Sequence, residues 1–180
     1  MDESKDQGIN WYIKQQGQLK IVPVDLIPKK QEIKSGLDQK LIHIAKLSLL
    51  MQNICLQEDG VGLSAVQVGM PFKIFIAKDY NRSNEFFTFV DCEYIGLNKK
   101  IPSIEGCLSL KNKNNKTKRY KLERYQKIIA KGYFFNFESN FSLVPFEKEY
   151  EGFFSSILQH EIDHHDGILI SDIGKELEIY

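Results

Sequence analysis

The segment Gln159-His160-Glu161-Ile162-Asp163-His164 contains the pattern H-E-x-x-H. On a helix, positions four apart share a face, so the imidazoles of His160 and His164 can converge on one cation. Glu161 then projects beside that cation, where it can take a proton from a bound water. Two histidines leave a catalytic metal site one protein ligand short. Only 16 residues follow His164, and the third His or distant Glu of the common zinc-protease patterns is not among them. His165 points about 100° around the helix from His164 and does not easily join the same ion. The missing ligand is therefore expected upstream. His43 is one source, although it sits in a helical stretch where a half-buried structural role is more usual. Cys107, within Glu105-Gly106-Cys107-Leu108-Ser109, is the better one. Its thiolate is a strong donor to a borderline-soft divalent ion, and Gly106 permits an unusual backbone angle beside it. Cys55 and Cys92 read instead as buried small hydrophobes.

A third segment, Gly60-Val61-Gly62-Leu63-Ser64-Ala65-Val66-Gln67, combines two glycines, small residues and one amide, which suits a backbone that approaches a ligand closely. It lacks the lysine and the preceding strand of a phosphate-binding loop. Gln67 can donate to a developing oxyanion without bringing a charge of its own. Taken alone the segment is a tight turn; beside the other two it reads as a substrate wall.

These residues need elements to hold them. Apolar periodicity predicts a helix from Leu37 to Leu56, with Leu37, Leu41, Ile44, Ala45, Ser48, Leu49 and Gln52 on its inner face. A second helix is predicted from about Gly152 to Asp166; it is apolar on more than one side, hence buried, and Gly167 ends it. Between them Phe72–Ala77 and Phe86–Val90 are strand-like, and a hairpin is expected from Lys127 to Tyr150 with its turn at Glu138-Ser139-Asn140. The order helix, strands, hairpin, helix lacks a βαβ alternation, so the fold class is α+β: antiparallel or mixed sheets packed around the buried H-E-x-x-H helix, with a long helix before the first motif. Residues 1–18 read as a loosely ordered arm and 19–180 as a single catalytic domain. Six of the eleven residues from Lys111 to Lys121 are basic. That run reads as a solvated surface loop, with an electrostatic contact to RNA as the sharper alternative.

With 180 residues, one domain is expected, large enough to fold without disulfides. The 24 Lys+Arg balance 24 Asp+Glu, which argues against a dedicated DNA- or RNA-binding protein. No secretory signal or membrane-spanning stretch is visible, and three cysteines without a framework spacing fit a reducing compartment. A cytoplasmic protein is the expectation.

G-V-G-L-S-A-V-Q at 60–67, E-G-C-L-S at 105–109 and Q-H-E-I-D-H at 159–164 resemble, in the right order, the three signature motifs of the peptide deformylases. The resemblance implies hydrolysis of the N-formyl group from N-formylmethionyl nascent peptides, with release of formate. By resemblance, Cys107, His160 and His164 hold one divalent metal, Fe2+ in the cell, with Zn2+, Ni2+ or Co2+ as substitutes. A water on that ion attacks the formyl carbon with Glu161 as general acid/base. Gln67 and the backbone N–H of Leu108 match the oxyanion donors, Gly62 and Glu105 match positions shaping the site, and Arg124 aligns with a substrate-contacting arginine. An extended peptide would run beside Val61, Gly62 and Gly106, with its methionine side chain against Leu108 and Ile157. The ribosome is a partner by the same resemblance, though only about 13 residues follow Gly167, short of the long C-terminal helix many bacterial members dock with. Two other readings stand beside this one: a different small H-E-x-x-H zinc hydrolase, and a non-catalytic protein that grips N-terminal peptides.

Overall fold

The computed structural model describes residues 8–16, 18–80, 85–138 and 140–178. In chain order the main elements are helix α1 (Ile9–Gln16), helix α2 (Leu41–Gln57), strands β1 (Gly62–Ser64), β2 (Ile74–Asp79), β3 (Glu85–Gly96), β4 (Lys100–Lys111), β5 (Thr117–Tyr125), β6 (Lys127–Asn136) and β7 (Ser142–Glu151), helix α3 (Gly152–His165), the short helix α4 (Ile170–Ile173) and strand β8 (Lys175–Leu177). They form a five-stranded sheet in the order β1-β2-β3-β6-β7 and a three-stranded sheet in the order β4-β5-β8. Every pairing between these strands is antiparallel. The α+β class follows.

Strand β2 explains how the layers stack. Ile74, Phe75, Ile76 and Ala77 are all fully buried, so this strand has no wet face. Ile74 and Ile76 join the cluster that contains Ile44, Leu47 and Met51 of α2. Phe75 and Ala77 point the other way, into the cluster holding Phe154, Ile157, Leu158 and Ile162 of α3. A continuous apolar run is what a strand covered on both faces requires. Helix α3 is thereby sandwiched: it packs on β1, β2 and β7 and also on β5 of the second sheet. At its C-terminus Gly167 takes φ 73°, the left-handed position that closes a helix.

Several expectations are corrected. Helix α2 begins at Leu41, and its buried residues are Ile44, Ala45, Leu47, Ser48, Met51 and Cys55; Leu49 is 54% exposed. Ile44, Ala45 and Ser48 face inward as expected, while the covering layer takes in Leu47 and Met51 and leaves Leu49 outside. The expected arm is not separate throughout, because Ile9 and Ile13 of α1 are buried in the α2 cluster. Residues 1–7 and 17 lie outside the described residues, as does Ser139 in the predicted hairpin turn. The basic run is not one loop. Lys111 ends β4, Thr117 begins β5, and only residues 112–116 make the turn, with Asn115 at φ 60°. Tyr120 and Leu122 of that hairpin are buried beside Ile170. Among the described residues no helix is long and apolar enough to cross a membrane.

Candidate active site

Helix α3 and strand β4 deliver the chemistry. In the β4–β5 ladder Gly106 pairs with Arg119 and the next registered pair is Lys111 with Thr117, so Cys107, Leu108, Ser109 and Leu110 face Lys118 alone. Such a bulge bends the strand and re-aims side chains. Cys107, 1% exposed, is directed at α3, where its Sγ lies 3.5 Å from His164 Nε2. The donor atoms of Cys107, His160 and His164 all lie within 4.8 Å of one another. His43, on α2, is not part of this group. Gly106 does not take the unusual backbone angle expected of it. Its small size matters for a different reason: a Cβ there would meet Thr117 Cγ2 at 2.9 Å and Arg119 Nη1 at 3.1 Å across the ladder.

The second ring nitrogen of His160 is occupied. Glu105 Oε2 lies 2.9 Å from His160 Nδ1, and Arg124 grips the same carboxylate through Nε and Nη2, each at 2.9 Å. Burial works to raise the Glu105 pKa, but the bonds from His160 and Arg124 outweigh it and hold the carboxyl down at about 2. A carboxylate can only accept, so His160 Nδ1 carries a proton toward Glu105, and Nε2 is the nitrogen left to face the donor group. His164 is held neutral, well below the usual histidine pKa, by burial and by the neighbouring His160. A thiol and two imidazole nitrogens aimed at one point, in a dry setting, fit a single borderline-soft divalent ion.

Glu161 is 3% exposed and its Oε2 has no hydrogen-bond partner. Burial pushes its carboxyl up to about 7, against the opposing effect of His160. Its other oxygen rests on the backbone of β1: a Cβ on Gly62 would come within 2.5 Å of Glu161 Oε1. Gln67 lies in the 3-10 turn Ala65–Val68 that follows β1. The Ser64 backbone N–H donates to Gln67 Oε1 at 2.9 Å, which turns the amide nitrogen toward Cys107 Sγ at 3.2 Å and Ser109 Oγ at 3.3 Å.

A cleft of about 510 Å3 opens over this group. Its walls include Val61, Gly62, Gln67, Glu105, Gly106, Leu108, Ile157, His160 and Glu161, so most of the residues singled out by sequence come together. Arg124 does not. It is 2% exposed, absent from the cleft walls, and its guanidinium is committed to Glu105 and to Asp163 Oδ2. The substrate contact expected of Arg124 is therefore replaced by a place behind the ligands. Arg119, Thr117 and Phe153 do line the cleft and were missed. The alternation in Thr117-Lys118-Arg119-Tyr120-Lys121-Leu122 was the available signal, because it marks a strand with Arg119 on the face opposite Tyr120. His165 does not belong to the donor group; it is buried with its ring 5.8 Å from that of Phe75.

A family model described as Polypeptide deformylase matches residues 26–178. The peptide deformylase of Thermodesulfovibrio yellowstonii is 31% identical over 157 residues, 86% of this chain and 87% of that protein. That of Rhodopirellula baltica is 31% identical over 134 residues, 70% of this chain but only 59% of the relative's length. The crystal structure of peptide deformylase from Thermotoga maritima superposes with a TM-score of 0.68, with 26% identity over 87% of this chain and 97% of the other. With its three motifs gathered on one cleft and its length matched almost throughout, the chain belongs to the polypeptide deformylase family of metal-dependent hydrolases.

Proposed function

We propose that this protein hydrolyses the N-formyl group of N-formylmethionyl peptides and releases formate. The observation that carries the reading is Glu161: a buried carboxyl with an unpartnered oxygen, set beside a Cys–His–His donor triangle under an open cleft. Cys107, His160 and His164 would hold the ion, Fe2+ in the cell, with Zn2+, Ni2+ or Co2+ as substitutes that the same donors tolerate. When bound, such an ion supplies Lewis acidity and a nucleophile at neutral pH. Glu161, with its pKa lifted toward neutrality, takes the proton of the attacking water and returns it to the leaving amine. Gln67 Nε2 and the Leu108 N–H serve as donors to the oxyanion, each worth about 10²–10³ in rate where such donors have been removed.

Substrate orientation follows from sheet order. Strand β1 is an edge strand of the five-stranded sheet and packs on α3, and Val61 and Gly62 form part of the cleft wall. An extended peptide can add to that edge through its own backbone, leaving side chains to choose pockets. Leu108 and Ile157 offer the methionine side chain an apolar wall, with Phe153 and Arg119 nearer the mouth, where the following residues would lie.

The test is formate release from formyl-Met-Ala-Ser by anaerobically purified protein, with metal content measured on the same sample. Glu161→Gln is expected to keep the metal and lose activity by about 10²–10⁴-fold. Cleavage of unformylated peptides would favour the zinc-protease reading. Peptide binding with no turnover would favour the non-catalytic one. Full activity in Glu161→Gln would remove the assigned base.

A further inference from the structure

Behind His160, away from the cleft, runs a line of polar side chains that ends on the five-stranded sheet. His160 Nδ1 donates to Glu105 Oε2 at 2.9 Å. Arg124 donates to both oxygens of Glu105 through Nε and Nη2, and through Nη1 to Asp163 Oδ2. The Tyr94 hydroxyl then donates to Asp163 Oδ1 at 3.0 Å. Tyr94 belongs to β3, Asp163 to α3, and Arg124 and Glu105 to the three-stranded sheet.

We propose that Tyr94 is a positioning residue for the metal ligand His160, acting through Asp163, Arg124 and Glu105. The inference rests on the reading of Cys107, His160 and His164 as a metal centre.

Two carboxylates share one guanidinium in a dry region: Asp163 is 6% and Arg124 2% exposed. Both carboxylates draw on Arg124, and Glu105 has the His160 N–H as a further partner. The Nε–Nη2 edge of Arg124 makes a fork with Glu105, the strongest geometry an arginine offers, while Asp163 receives a single bond. Asp163 is left with one further oxygen to satisfy, and the Tyr94 hydroxyl satisfies it. Burial and the Asp163 charge raise the Tyr94 pKa above its ordinary value, so the hydroxyl stays a donor. Without that donor a buried carboxylate oxygen is orphaned, which is costly. The nearest remedy is for Asp163 to draw Arg124 toward itself. That movement opens the fork on Glu105 and frees the His160 ring, whose tautomer and orientation the fork maintains. Partners one step behind a metal ligand typically change affinity by 10–100-fold. Tyr94 stands further back, so an effect of about 3–10-fold is expected.

The experiment is a Co2+ titration of the metal-free full chain, followed by the sulfur-to-cobalt charge-transfer absorption, for wild type, Tyr94→Phe, Asp163→Asn and the double variant. Tyr94→Phe is expected to raise the cobalt Kd by about 3–10-fold and to show an activity deficit at limiting cobalt that excess cobalt restores. In the Asp163→Asn background the same change should do nothing further, because its only route has been cut. An unchanged Kd with a lowered melting temperature of the metal-free protein would mean a merely structural tyrosine and overturn the proposal; so would additive effects in the double variant. If Tyr94→Phe does not fold, Asp163→Asn decides alone, and an unchanged Kd there overturns the route. Absence of the sulfur-to-cobalt band in wild type would instead defeat the metal-centre reading itself.

Discussion

Glu161 and Gly62 are placed on each other. A β-carbon on Gly62 would stand 2.5 Å from Glu161 Oε1, so any larger residue must push this carboxylate away from the Cys–His–His triangle or push β1 away from α3. Gly62→Ala is accordingly expected to lower kcat by about 10²-fold, the usual consequence of misplacing a catalytic group by about an ångström, while the metal content stays near wild type. Steady-state formate release with metal analysis checks this; kcat within twofold of wild type would show that the contact does not position Glu161. Gln67 illustrates the same economy of groups. Its carbonyl is spent on the Ser64 backbone, and that bond alone decides that the amide's donor end, not its acceptor end, faces Cys107. The standing of Gln67 as the one amide in a segment of small and apolar residues was readable from sequence. The bond that orients it was not, since it depends on how β1 turns into Ala65–Val68.

At the level of elements, periodicity located α2 and α3 and placed Ile44, Ala45 and Ser48 correctly, but misjudged one edge of the inner face of α2. Leu41 and Leu49 extend the pattern as well as Leu47 and Met51 do; what separates them is where β2 and α1 lie, a tertiary fact. Met51→Ala, at a position with no exposure, should cost about 2–5 kcal/mol in urea unfolding. Leu49→Ala, at 54% exposure, should stay within about 0.5 kcal/mol. Equal losses at the two positions would contradict the observed stripe. The second sheet was harder to see. Strands β4 and β5 carry lysines and glutamates on their open face, and their buried apolar residues Cys107, Tyr120 and Leu122 make only a small cluster with Ile170, so composition suggested a loop where the backbone makes a hairpin.

Across the whole molecule the donor triangle joins the two halves of the fold. Cys107 belongs to the three-stranded sheet, while His160 and His164 lie on the helix packed against the five-stranded sheet. An ion held by all three stabilises the folded state by mass action, about 2.7 kcal/mol at a hundredfold excess over Kd, or roughly 5–10 °C for a chain of this size. Chelation should lower the melting temperature by that amount in wild type, and metal should restore it; Cys107→Ser should respond much less. Identical melting with and without metal would mean that the three residues do not share an ion. The sequence by itself determined the chemical types and two of the spacings: H-E-x-x-H converges because helix geometry is local, and Glu105-Gly106-Cys107 and Gln67 stood out because their residue types are unusual in such settings. Only the tertiary structure decided that Cys107 is aimed at α3 by a bulge, that Arg124 stands behind Glu105 while Arg119 faces the cleft, and that Tyr94 reaches Asp163. Those relations join residues tens of positions apart through strand register and sheet packing, and neither is encoded in any single segment of the chain.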